Sequence, residues 1–357
     1  MGSLPQLLRG LPGRRVASGL AAGLLALVAA LLLLGGSAGA EPYRDSRELM
    51  GTLLQLTLVH PDVAVAREAA EACFAEGAAL EAVLTTYDAE SATSRMNAGA
   101  GSGPFQAPPA LARILAESKA LQVATGGAFD VTVGPLIELW TEAGQAGRLP
   151  GPSELGAALR RVGSDRIVLG PEGVVMLQPG MGVNFGAVGK GFALDRMAER
   201  LAEHGVSRAL LDFGGSSWLA LGAPEGGAAW RVLLRDGRGG FAGVVSLRDA
   251  SLSFSESMAG TTEIGGRRYG HVIDPRSGWP LEEPIAAAAL AADGTTAEAL
   301  STALVVLGPE HGLGVVGRLP GAEALVIDAS GSRHESRGFR ETTGFEPVAA
   351  VAPGTAP

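Results

Sequence analysis

Residues 230–273 carry several short β-like stretches in succession with no long helical segment among them, and this constrains the fold most. Parallel strands need a crossover of a dozen or more residues, usually a helix, whereas antiparallel neighbours need only a tight turn. The segment argues for a mixed α+β architecture with a largely antiparallel sheet and packed helices, over a doubly wound parallel sheet. Helical periodicity falls elsewhere: in the Ala/Glu-rich residues 63–84, in residues 110–125 with Leu111, Ile114, Leu115 and Leu121 on one face, and in residues 192–204 and 295–307.

Around these segments, Leu53, Leu54, Leu56 and Leu58 predict a partly buried strand over residues 51–59, so the folded part opens as strand then helix. Residues 97–109 form a Gly/Pro/Ala loop. Residues 141–182 read as an insertion punctuated by Gly and Pro, with a short helix near 153–161 and a hairpin of 166–169 with 174–177 around Pro171-Glu172-Gly173. Residues 208–213 and 322–328 are further strands, and residues 346–357 a flexible tail. A chain of 357 residues suits one large domain or two small ones. We read residues 41–345 as a single catalytic unit.

The net charge is −9. The first 40 residues hold Arg9, Arg14 and Arg15 and no acid, which leaves 25 basic against 37 acidic residues after them, a charge of −12. Phosphate affinity in nucleic-acid binders comes from Lys and Arg that displace counterions, so so acidic a body argues against that class. Residues 16–34 are an unbroken run of apolar, Gly and Ser residues behind those arginines, followed by the small-residue sequence Ala38-Gly39-Ala40. This is the pattern of an export signal peptide over residues 1–40. The alternative is an uncleaved anchor, and Arg14-Arg15 raises twin-arginine export. The lone Cys73 forbids an intramolecular disulfide and lies in a helical stretch, where a buried, inert thiol is expected.

Several constellations bear on chemistry. Gly186-x-x-Gly189-Lys190-Gly191 before a helix would aim backbone N–H groups and a cation at an anion, although the same pattern also serves a plain strand-to-helix turn. In residues 124–136, Asp130 and Thr132 share one face if the segment is extended; a tight turn with Asp130 as its cap is the equal alternative. Residues 269–280 join His271, Asp274 and Arg276 across a Pro/Gly-rich turn. Glu298 and Thr302 stand at i and i+4 of a helix, so both oxygens face one way, a carboxylate and hydroxyl suited to Mg²⁺ or simply to an exposed helix face.

In this order, Met50-Gly51-Thr52, residues 87–91 with 94–97, residues 125–136, residues 186–195, Gly214-Gly215, residues 271–280 and residues 297–304 resemble the ApbE family of FAD:protein FMN transferases, over roughly residues 50–308. The resemblance implies a T-fold-type core. It also implies an exported, Mg²⁺-dependent enzyme that transfers FMN from FAD to a Ser or Thr hydroxyl, forming a phosphoester and releasing AMP. Acceptors would be extracytoplasmic or membrane-associated redox proteins bearing a Ser/Thr-Gly-Ala-Thr type motif.

On the same resemblance, Tyr87 would stack on the isoalloxazine and Met50 line its pocket. Ala128, Phe129 and Asp130 would contact the adenosine side, while Asn184, Lys190 and Ile273 match flavin-site positions. The Ala187 carbonyl, the Glu298 carboxylate and the Thr302 hydroxyl would hold the metal. His271 is the candidate for deprotonating the acceptor hydroxyl, or for orienting it together with Asp274. Three departures stand out: Glu298 where the family has Asp, Phe254-Ser255-Glu256-Ser257-Met258 where it has Thr-Ser-Gly-Asp/Asn-Tyr, and Ser216-Ser217 after the glycine pair. An FAD pyrophosphatase and a non-catalytic periplasmic FAD-binding protein are the competing readings.

Overall fold

Alternation sets the first hairpin. Strand β1 (Tyr43–Leu49) pairs antiparallel with β2 (Thr52–Leu58). In β2, Leu54, Leu56 and Leu58 are buried while Leu53 is exposed, the period of a strand with one face on a core. Burying each such leucine contributes roughly 1.5–3 kcal/mol. The computed structural model describes residues 41–348; the expected export segment and the tail beyond residue 348 lie outside the described residues.

Helix α1 (Val63–Leu84) follows, capped by the Asp62 carboxylate on the Ala64 N–H. Then come α2 (Ala92–Ala98), α3 (Pro109–Ala124), α4 (Gly134–Ala146) and α5 (Pro152–Leu159). The expected hairpin in the insertion is β3 (Ile167–Gly170) with β4 (Gly173–Met176). Helix α6 (Gly189–Glu203) starts three residues before the apolar periodicity, inside the glycine turn. The β-rich part is β5 (Ala209–Phe213), β6 (Ser217–Leu221), β7 (Trp230–Arg235), β8 (Phe241–Leu247), β9 (Ala250–Glu256), β10 (Thr261–Ile264), β11 (Arg267–Gly270) and β12 (Ala286–Ala291). Helix α7 (Gly294–Val316), β13 (Glu323–Ile327), β14 (Arg333–Glu335), α8 (Phe339–Thr343) and β15 (Glu346–Pro347) complete the described chain.

Eight strands form one sheet in the order β1-β2-β5-β6-β9-β12-β13-β14, and every neighbouring pair is antiparallel. The fold is thus the mixed α+β architecture expected from residues 230–273. Strand β12 is all Ala and Leu and buried throughout. Its small side chains let α7 lie close on β9 and β12, and α6 packs between α7 and α1.

Three local expectations change. Residues 134–146 are helical, with Pro135 in the first turn of α4, so the insertion expected from residue 141 begins within a helix. Helix α7 runs past residue 307 but breaks at Gly308, whose φ of 69° is not helical. The tail begins later than residue 346, since Glu346–Pro347 pairs with β8. Cys73 is buried in α1, where desolvation pushes its thiol up to about 12. A thiol so disfavoured as thiolate is inert.

Candidate active site

Helices α6 and α7 meet backbone to backbone. A Cβ on Gly191 would lie 2.1 Å from the Gly294 carbonyl oxygen, and one on Gly294 would lie 2.5 Å from that of Gly191, so neither position admits a side chain. The Asp195 carboxylate locks this contact by accepting from Gly294 N (2.6 Å), Thr295 N (2.9 Å) and Thr295 Oγ1 (2.6 Å). Burial nevertheless dominates its titration and raises the Asp195 pKa to about 6.

One turn into α7, Glu298 is only 3% exposed. Its Oε2 accepts from Gly191 N at 2.6 Å, and its Oε1 is paired with Lys190 Nζ. Ser217 Oγ lies 3.5 Å from the same Oε1. Thr302 follows one turn later, its Oγ1 3.4 Å from Ser255 Oγ on β9. Glu298 and Thr302 therefore share a face, and both line a cleft of about 400 Å³ together with Ala187 and Lys190. That volume falls in the roughly 300–1,000 Å³ range of small-molecule sites.

The second wall is the segment after α3. Its backbone forms a one-turn 3₁₀ helix at Val131–Val133 rather than a strand, and Asp130 caps it. Asp130 Oδ1 accepts from Thr132 N (2.9 Å), Thr132 Oγ1 (2.6 Å) and Ser164 Oγ (2.5 Å), and Oδ2 accepts from Ser164 N (3.0 Å). All these bonds are to neutral groups of the protein itself. Asn184 is tied to this wall by its N–H on the Val131 carbonyl (2.7 Å), and its Oδ1 accepts from Gly186 N (2.8 Å).

The third wall is the loop of residues 271–280. It turns back on itself through Asp274 N to the Trp279 carbonyl (2.9 Å), and Trp140 Nε1 donates to the Gly278 carbonyl at 2.8 Å. The rings of Tyr269 and Trp279 pack against Trp140 in tilted contacts, with centroids 5.3 and 5.1 Å away. His271 reaches solvent at the cleft, with Nδ1 3.3 Å from Gly260 N. Desolvation lowers its pKa, partly offset by the Gly260 backbone and the Glu256 charge, so the imidazole is neutral at pH 7.

Ten of the thirteen expected site residues meet in this one cleft: Ala128, Phe129 and Asp130; Asn184, Ala187 and Lys190; His271 and Ile273; Glu298 and Thr302. Three do not. Met50 sits in the β1–β2 turn and packs on the core, and Tyr87 is 98% exposed in the turn after α1. Asp274 does not line the cleft, and both its oxygens are held by Arg276, at 2.9 Å each. A guanidinium two residues away makes a charge-assisted, two-pronged pair with the carboxylate.

Reasoning from sequence missed other residues of the cleft wall. Ser216, Ser255 and Glu256 line it, so the other two departures from the family pattern share the cleft with the first, Glu298. Arg235 lines it too, at the end of β7, where the alternation of buried and exposed residues marks it only as outward-facing.

The donor set fits a hard divalent cation. No group of three or more His, Cys, Asp or Glu side chains among the described residues is placed to hold a metal. The three expected metal-holding residues, with the Glu298 carboxylate, the Thr302 hydroxyl and the Ala187 backbone, all line the cleft. Mg²⁺ needs few protein oxygens, because it keeps water and takes phosphate oxygens. Glu298 Oε2 retains a lone pair beyond the one used by Gly191 N.

Hard oxygens, a helix N-terminus, a neutral imidazole and two cationic side chains converge on a solvent-reachable cleft, and this is the equipment of an enzyme acting on an anionic substrate. The family model described as ApbE matches residues 50–326. The FAD:protein FMN transferase of Treponema pallidum is 32% identical over 312 residues, which cover 82% of this chain and 86% of that protein. The protein of the same name from Escherichia coli K12 is 30% identical over 310 residues, 82% of this chain and 88% of its own length. Among solved structures, the flavin transferase ApbE of Vibrio cholerae superposes with a TM-score of 0.73 at 25% identity, over 85% of this chain and 99% of that one. The chain belongs to the ApbE family, and it is a transferase.

Proposed function

We propose that this protein transfers the FMN part of FAD, with Mg²⁺, to a Ser or Thr hydroxyl of an extracytoplasmic acceptor protein and releases AMP. The observation that carries the reading is the convergence of Glu298 and Thr302 from α7 with Ala187 and Lys190 from the start of α6, opposite His271. The leader of residues 1–40 supports export, to the periplasm or the outer face of the membrane. Acceptors would carry the Ser/Thr-Gly-Ala-Thr type motif, as on membrane-associated redox proteins.

Phosphoryl transfer asks a protein mainly to position groups and to neutralise charge. Ala187, Glu298 and Thr302 would hold Mg²⁺, which when bound withdraws charge from the pyrophosphate oxygens. The N-terminus of α6 presents its N–H groups to the same region. The neutral ring of His271 would be the group that takes up, or orients, the proton of the acceptor hydroxyl. Phe129 and Ala128 exclude water from the apolar side of the cleft.

The test is a mass-spectrometric assay of the purified protein with FAD, Mg²⁺ and a domain bearing the acceptor motif. A flavinylated acceptor with equimolar AMP is expected. AMP without a labelled acceptor would replace this reading by FAD pyrophosphatase activity, and bound FAD with neither product would replace it by a binding protein.

A further inference from the structure

We infer that Arg235 is a phosphate-binding residue of the cleft, and that its guanidinium holds the anionic end of the adenylate as it leaves. This rests on the flavin-transfer reading above. Two basic side chains line the cleft, Lys190 and Arg235. Lys190 is already neutralised by Glu298. Among the described residues Arg235 has no carboxylate within ion-pair distance. The acids around it are engaged elsewhere or stand off: Asp212 Oδ1 accepts from Gly215 N (2.8 Å), Asp236 Oδ1 accepts from Arg238 N and Gly240 N (2.8 Å each), and Glu256 lines the cleft without pairing with it.

The fold also makes a seat for this guanidinium. Arg235 Nη2 lies 3.1 Å from where a Cβ of Gly215 would stand, so any side chain there would crowd it. Gly214 and Gly215, with φ of 70° and 61°, carry the backbone through a left-handed turn just before Ser216 enters the cleft. The glycine pair thus lets a fork of five N–H donors rest over the backbone at the cleft wall. That fork suits two oxygens of one phosphate group.

Charge balance in the reaction supplies the reason for a free cation. Acceptor hydroxyl plus the pyrophosphate dianion gives a phosphodiester monoanion, the AMP dianion and one proton. The hydroxyl oxygen forms its bond to the FMN phosphorus, the bridging P–O bond breaks, and its electron pair stays on the adenylate oxygen. One extra negative charge therefore develops on the leaving group, and a guanidinium without a counter-ion gains most by meeting it.

The experiment compares wild type, Arg235→Gln and Arg235→Lys in the full chain, by calorimetric titration with AMP, FAD and riboflavin, which has no phosphate. For Arg235→Gln, AMP and FAD affinity should fall by about tenfold, the usual scale of one lost charge-assisted hydrogen-bonding group at a partly exposed site. Riboflavin affinity should not change, and Arg235→Lys should recover part of the loss. Raising the salt concentration should weaken AMP binding to wild type more than to Arg235→Gln. Unchanged AMP and FAD affinities in Arg235→Gln overturn the assignment, as does an equal loss for riboflavin, which marks a structural role. A wild type that binds AMP through Arg235 yet labels no acceptor would instead overturn the transfer reading alone.

Discussion

Two walls of the cleft each bury a carboxylate, and they use it in opposite ways. In the wall after α3, Asp130 meets only neutral donors of its own neighbourhood, Thr132 and Ser164. In the α6–α7 wall, Glu298 meets a lysine ammonium and a helix N-terminal N–H. The first arrangement ties the carboxylate into the protein and stiffens a turn. The second concentrates charge beside open space, where a cation or an anionic substrate can exchange with the partners already there. Burial of a carboxylate thus does not define a functional group; the charge and mobility of its partners do.

The comparison breaks most sharply at Glu298. Glu298→Ala removes the only carboxylate among the three expected metal-holding groups, and turnover at saturating Mg²⁺, read as AMP release, should fall by about a thousandfold or more. Full activity in this variant would remove the metal assignment. Asp130→Asn should act on stability instead. It turns an acceptor into a donor facing the Thr132 and Ser164 groups, at a cost of about 3 kcal/mol in denaturant unfolding, while the rate at saturating FAD stays within a fewfold of wild type. A large loss of rate without loss of stability would show that the two walls do not differ as described.

The smallest effect concerns Asp195, the clamp behind the α6–α7 wall. Its folded pKa of about 6 lies above the unfolded value of about 3.9, so the folded state holds the proton more tightly. Its contribution to stability is therefore complete below about pH 4 and is lost as the pH rises through about 6. Between pH 4 and pH 7 the stability of wild type relative to Asp195→Asn should decline by about 2 kcal/mol, measured by urea unfolding at each pH. A difference independent of pH would mean that the hydrogen bonds from Gly294 and Thr295 fully offset burial, and a rise with pH that they outweigh it.

Much of the site was legible because helices and tight turns are local. The i, i+4 spacing placed Glu298 and Thr302 on one face, and the glycine turn announced the start of α6. The capping role of Asp130 on Thr132 N was one of two readings, and the bonds that brace it from Ser164, 34 residues away, left no trace in the sequence. Asp274 illustrates the opposite failure. Its place in the His271 loop suggested a role beside His271 at the acceptor hydroxyl, yet in space both its oxygens are taken by the charged Arg276.

The sequence by itself determined the class of fold, since short strands in succession exclude parallel crossovers, and it determined which local turns could carry ligands. Family membership was also legible there, in seven short segments kept in order. The tertiary structure alone decided which groups share a cleft. It brought Arg235, Ser216, Ser255 and Glu256 into one cleft with Glu298, and left Tyr87 in solvent. The reason is physical: contacts across an antiparallel sheet depend on register and strand order, which tie together residues far apart in the chain and leave no periodic trace in it.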